Sequence, residues 1–106
     1  MAIMDYFRVS GYNVIYGSLR LDPPIYQLIF LKLLALTSIS RVPGMVAIAR
    51  NVAYPIDVLA TTIGVSVKEL EAALTHNTKP EIERIRINEW GGIEIINWAK
   101  IGRAHV

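Results

Sequence analysis

The stretch from Pro55 to Asn77 most constrains the fold, because two short amphipathic helices flank a single glycine. It reads PIDVLATTIGVSVKELEAALTHN. The first helix is predicted to begin at Pro55 and to end near Ile63, with Asp57 in the first turn, where a carboxylate suits the helix dipole. Gly64 supplies the tight stop that helix ends commonly use. The pattern therefore predicts a helix-turn-helix.

The helix after the glycine has a capped start and two distinct faces. Ser66 is the predicted N-cap, and Glu69 three positions later completes a capping box. The spacing predicts an inward face of Val67, Leu70, Ala73 and Leu74. The opposite stripe is Lys68, Ala72, Thr75 and Lys79, with Glu69, Glu71 and His76 on its flanks. The helix is expected to end near Asn77, before Pro80.

Upstream, Asp22 is the predicted N-cap of a helix with Pro23 at its first position, running to about Ser38. This helix is apolar nearly all round, which predicts a central position or cover on two sides. A short strand near Tyr6 to Val9, then an irregular arm, is predicted to precede it, and Met45 to Ala49 is a possible strand. The arm is expected to cover a leftover apolar face of Ile25, Leu28, Ile29 and Leu36, with self-association through that face as the alternative.

The segment IERIRINEWGGIEIINWAK contains two alternating runs around a glycine pair and predicts a β-hairpin. A two-residue turn would place Glu89 opposite Glu94, which is unfavourable. A three-residue loop of Trp90, Gly91 and Gly92 is preferred, because it gathers four isoleucines on one face and offers a glycine for the left-handed position. The inward set is Ile85, Ile87, Ile93 and Ile95, and the outward set is Arg84, Arg86, Asn88 and Glu94.

This order of elements predicts an α+β winged helix-turn-helix, with three helices, a C-terminal β-hairpin wing and a short N-terminal strand or arm. The chain of 106 residues is read as one domain over residues 1–100. The last six residues, IGRAHV, resemble a translated sequencing adaptor, so residues 101–106 are interpreted as a non-native tail. The natural protein is then expected to continue past Lys100.

Composition argues against several classes of protein. The absence of cysteine excludes disulfides, thiolate metal sites and a cysteine nucleophile. We find no glycine-rich phosphate loop and no nucleophile with a base, so neither an enzyme nor a cofactor is expected. The longest apolar run, Ile25 to Leu36, is short and contains Gln27 and Lys32, so a cytoplasmic protein without a membrane partner is predicted. A net charge of +2 and a pI of about 9.1 permit an anionic partner.

Four strings identify a possible family: FLKLLALTSISRVPG, YPIDVLATTIGVS, ELEAAL and IRINEWGGIEIINWAK. In sequence and order they resemble the N-terminal domain of phage replisome organiser proteins, relatives of the bacterial DnaD-type primosome proteins. The resemblance spans roughly Tyr6 to Lys100. It implies a role in starting phage DNA replication in the bacterial host cell. The partners it implies are double-stranded DNA at the phage origin and replication proteins such as the helicase or its loader.

Eight residues are candidates for DNA contact. Lys68, Thr75, His76 and Lys79 would approach the major groove from the third helix. Arg84 and Arg86 would hold phosphate from the wing, and Asn88 or Trp90 would reach a groove, although Trp90 could instead fold back over the sheet. Arg41 and Arg50 are weaker candidates, placed by charge only. The alternatives are a protein-interaction or oligomerisation domain of the same initiation complex and a transcriptional regulator.

Overall fold

The computed structural model describes residues 18–96, so the predicted strand near Tyr6 to Val9 and the tail of residues 101–106 lie outside the described residues. A 3-10 turn, Ser18–Leu21, leads into helix α1, Pro24–Ser38. Helices α2, Ile56–Ile63, and α3, Val67–Thr78, follow. Three strands, β1 (Met45–Val46), β2 (Ile85–Ile87) and β3 (Ile93–Ile95), form an antiparallel sheet in the order β1-β3-β2. The predicted α+β winged helix-turn-helix is confirmed.

Helix α1 occupies the centre of the domain, as its all-round apolar sequence predicts. It packs against α2, α3 and β1. Its buried apolar residues join those of the other elements in one core: Ile29, Phe30, Leu33, Leu34, Val46, Leu59, Ala60, Ile63, Leu70, Ala73, Leu74, Ile85, Ile93 and Ile95. Burial of each large aliphatic side chain contributes about 1.5–3 kcal/mol. Of the four residues proposed for a leftover face, Ile29 is buried and only Leu28 is exposed.

The turn between α2 and α3 has the predicted local structure. Gly64 adopts φ +80°, and its N–H donates to the carbonyl oxygens of Ala60 and Thr61. The Lys32 Nζ of α1 donates to the Ile63 carbonyl oxygen at 2.8 Å, which satisfies another free acceptor at the end of α2. The capping box is present, since the Ser66 Oγ accepts from the Glu69 N–H and the Glu69 carboxylate accepts from the Ser66 N–H, each at 3.0 Å.

The hairpin keeps the four isoleucines on one face, but its loop differs from the prediction. The prediction that Ile87 points into the core was wrong: Ile85, Ile93 and Ile95 are buried, and Ile87 is 47% exposed. Ile85 pairs with Ile95 and Ile87 with Ile93, so the loop is Glu89, Trp90 and Gly91, one residue earlier than predicted. The Asn88 Oδ1 causes this shift, because it accepts from the N–H groups of Trp90 and Gly92 at 3.2 and 2.8 Å. Gly91 supplies the left-handed position at φ +92°. The isoleucine face survives because both registers keep the same alternation.

Two predictions upstream of the helix pair were wrong. Asp22 is not the N-cap of α1: Pro23 occupies that position, and no side chain caps the helix. The possible strand at Met45 to Ala49 is limited to its first two residues. It stops because Ala49 and Val52 pair across a tight turn in which Asn51 adopts φ +63°. Within residues 18–96, none of the helices combines the length and hydropathy that a membrane crossing needs.

Candidate nucleic-acid interface

The outward stripe of α3 is exposed as predicted. Lys68, Ala72, Thr75 and Lys79 are all exposed. Among residues 18–96, neither the Lys68 nor the Lys79 ammonium group has a hydrogen-bond or ion-pair partner. The stripe therefore presents two free ammonium groups, one at each end of the helix, with a hydroxyl between them.

His76 and Arg84, two of the predicted DNA contacts, instead bind the carboxylate of Asp22. The Arg84 Nη1 lies 2.7 Å from the Asp22 Oδ2, and the His76 Nε2 lies 3.0 Å from the Asp22 Oδ1. The exposed fractions of the three side chains are 13% for Arg84, 19% for His76 and 7% for Asp22. The prediction that Arg84 faces outward was wrong, because an anion from the start of α1 holds it in the interior.

Asn77 completes this arrangement, which we call the Asp22 cluster: Asp22, His76, Asn77 and Arg84. Asn77 is fully buried, and its Oδ1 accepts from the Arg84 Nη1 at 2.9 Å while its Nδ2 donates to the Ala73 carbonyl oxygen at 2.8 Å. The Arg84 guanidinium also lies over the Phe30 ring, 5.7 Å from its centroid. The cluster therefore joins the chain before α1, the end of α3 and the entry to the wing.

The carboxylate of Asp22 is held in its charged form by its neighbours. Burial acts to raise its pKa, but the hydrogen bonds and positive charge of Arg84 and His76 outweigh that effect, so the pKa lies below its ordinary value. Throughout the described part of the chain, each buried side-chain nitrogen or oxygen has a partner. The cluster is thus a satisfied internal network, which explains why Arg84 and His76 are drawn away from the surface.

The other predicted DNA contacts of the wing differ in whether their side chains are free to bind another molecule. Arg86 is exposed and faces outward, directly across from Glu94, with its Nη2 3.7 Å from the Glu83 Oε2. Both side chains of that contact are more than half exposed, so it contributes little and can exchange for another anion. Asn88 is engaged in shaping the loop, and its Nδ2 lies 3.7 Å from the Met45 Sδ.

Trp90 is half-buried and folds back over the hairpin. A Cβ added at Gly92 would lie 2.7 Å from the Trp90 ring, so the ring covers the space that a side chain would fill. The Trp90 ring is turned toward the chain itself, which is the alternative position predicted from the sequence. Packing against the Trp90 ring therefore favours a glycine at position 92.

Two shallow grooves run along either side of the α3 stripe. One, of about 420 Å³, is lined by Tyr26, Glu71, Ala72, Thr75, His76 and Lys79. The other, of about 520 Å³, lies toward the wing and is lined by Ile56, Glu71, Leu74, Thr75, Thr78 and Ile87. Glu71 and Thr75 line both, so these two side chains stand on the ridge between the grooves.

The charge of the described domain is balanced, since residues 18–96 contain equal numbers of acidic and basic side chains. In this same range, no group of three or more His, Asp or Glu side chains could hold a metal ion. No protein-family model matches the chain, and comparisons with curated proteins and with solved structures gave no significant match.

Proposed function

We propose that this domain is the DNA-binding module of a phage replication-initiation protein of the replisome organiser type. One observation carries the proposal: Lys68 and Lys79 are exposed and unpaired within residues 18–96, at opposite ends of the outward face of α3. Eleven positions of helix separate them by about 16 Å at a rise of about 1.5 Å per residue. The major groove is about 12 Å wide, so the two lysines would reach phosphates on both of its edges.

Within this proposal, the exposed residues of α3 and of the wing are assigned to DNA contact. Lys68 and Lys79 would contact phosphate, and Thr75, between them on the exposed face, would approach base edges. Arg86 would add a phosphate contact by leaving its weak pairing with Glu83. His76 and Arg84 would support the interface from the Asp22 cluster without touching DNA.

The assignment to replication rests on the resemblance of the four sequence strings described above. Under it, the module binds double-stranded origin DNA while other parts of the assembly engage the helicase or its loader. Tight binding to any duplex requires a large excess of basic side chains, and the described domain has none. Its balanced charge therefore supports a module that recognises a site as part of a larger assembly.

The proposal is tested by titrating labelled duplex with the protein at several salt concentrations. The slope of log K against log salt should fall by about 0.9 for each phosphate contact that is lost. Lys68→Ala and Lys79→Ala should each reduce the slope by that amount. Arg20→Ala removes an exposed basic residue from the 3-10 turn Ser18–Leu21, outside the proposed interface, and serves as the control, which should leave the slope unchanged.

A protein-interaction module of the same initiation complex is the second candidate. This candidate is favoured because Arg84 and His76 bind the carboxylate of Asp22, so fewer basic side chains can contact phosphate than the sequence predicts. The absence of duplex binding at low salt, together with a dimer or larger species in sedimentation, would support this candidate over the first.

A further inference from the structure

The two acidic residues near the start of α3 have different structural roles. Glu69 has a local one, because its carboxylate accepts from the Ser66 N–H at 3.0 Å and completes the capping box. The Glu71 carboxylate has no hydrogen-bond or ion-pair partner among residues 18–96, and the side chain is exposed. The capping of α3 therefore explains a carboxylate at position 69, but no contact within the helix explains one at position 71.

Glu71 lies where a recognition helix would meet the bases. It is three positions from Lys68 and four from Thr75, and side chains at these spacings are neighbours on a helix surface. It also lines both grooves beside α3. A carboxylate at this position would be repelled by phosphate, and in the major groove it would be repelled by the acceptor atoms of guanine and thymine.

We propose that Glu71 is the residue that confers base preference, accepting a hydrogen bond from the N4 amino group of a cytosine in the major groove. Cytosine offers a donor in that groove with no acceptor on the same base, whereas the adenine donor sits beside the N7 acceptor. The lysines at the ends of α3 would hold the helix in the groove, and Glu71 would select the base. This inference rests on the proposed DNA-binding function.

The experiment is selection of bound duplexes from a randomised library at low salt, with wild type, Glu71→Ala and Glu71→Gln compared. Wild type should enrich cytosine at one position, by roughly tenfold over other bases. Glu71→Ala should lose the preference at that position only. Glu71→Gln should move it to adenine, because a glutamine amide matches the adenine N6 and N7 pair.

Glu94→Gln is the matched control, since it makes the same chemical change on the outer face of the hairpin, across from Arg86. It should leave the selected sequence unchanged. If wild type selects a sequence and Glu71→Ala selects the same one, the role of Glu71 is refuted while DNA binding stands. If wild type retains duplex but enriches no sequence, the role of Glu71 is likewise refuted while DNA binding stands. If folded wild type retains no duplex at low salt, the proposed function fails together with this inference.

Discussion

Replacing Asp22 with alanine should lower the free energy of unfolding by about 2 kcal/mol. The change leaves the Arg84 guanidinium and the His76 ring without the acceptor that lies 2.7 and 3.0 Å from them. Removing one partner of a fully buried ion pair costs roughly 3–5 kcal/mol, whereas an exposed pair contributes roughly 0–1 kcal/mol. The cluster lies between these limits, because Arg84 and His76 keep 13% and 19% of their side-chain surface in contact with solvent.

The measurement is urea unfolding followed by circular dichroism. With a slope of about 1–2 kcal/mol per molar urea for a small domain, the midpoint should fall by about 1–2 M with the slope unchanged. A variant that unfolds at the wild-type urea concentration would contradict this expectation, because water would then replace the carboxylate without loss of stability.

Two further variants show whether the effect belongs to the cluster. Asp57→Ala removes an exposed aspartate from the first turn of α2, where the helix dipole contributes about 0.3–1 kcal/mol, so the loss should be clearly smaller. The double variant Asp22→Ala with Arg84→Ala should lose less than the sum of the single variants, by at least about 0.5 kcal/mol, because the two side chains interact directly.

Three other changes test the capping box, the hairpin loop and the charge of Asp22. Ser66→Ala should cost about 1 kcal/mol in urea unfolding, because it removes the side-chain acceptor of the capping box. Gly91→Ala should cost about 1–3 kcal/mol and lower the melting temperature, since its φ is +92° and the added Cβ would lie 3.1 Å from the Ala53 Cβ. Asp22→Asn should weaken the acid sensitivity of unfolding. Because the pKa of Asp22 is lower in the folded state, the carboxylate stabilises the fold fully above its unfolded pKa of 3.8, and this stabilisation is lost as pH falls through the folded pKa. The difference in free energy of unfolding between wild type and Asp22→Asn should therefore shrink below about pH 4.

The features that could be predicted from the sequence depend on short-range interactions. The capping box of Ser66 and Glu69 and the glycine stop at Gly64 each involve residues within a few positions of one another, so the spacing contains the information. The isoleucine face of the hairpin could be predicted because alternation alone fixes which side chains share a face. The exposure of Ile87 could not, because it depends on how far the core extends along the hairpin. The position of its loop could not, because it depends on how the Asn88 side chain satisfies two backbone N–H groups.

The candidate site was harder to predict, because its key contacts join distant parts of the chain. Asp22 lies 54 positions from His76 and 62 from Arg84. Its location just before a proline indicated an N-cap, and nothing in the local pattern shows that its carboxylate serves two partners from other elements. Residues such as Lys68 and Lys79 were placed correctly on the surface because the helix period decides their direction.

The Asp22 cluster also changes how substitutions at the candidate interface should be interpreted. Loss of DNA binding by Arg84→Ala would not identify a phosphate contact. The same change removes the hydrogen-bond donor to the buried Asn77 side chain and so weakens the attachment of the end of α3 to the wing. Asp22→Ala distinguishes the two explanations. If charge alone mattered, removing an anion would strengthen binding to phosphate, whereas removing Arg84 would weaken it. If the cluster acts by holding α3 against the wing, both variants should weaken binding in parallel with their loss of stability. Variants of the surface contacts, such as Lys68→Ala and Lys79→Ala, should instead weaken binding in a fully stable domain.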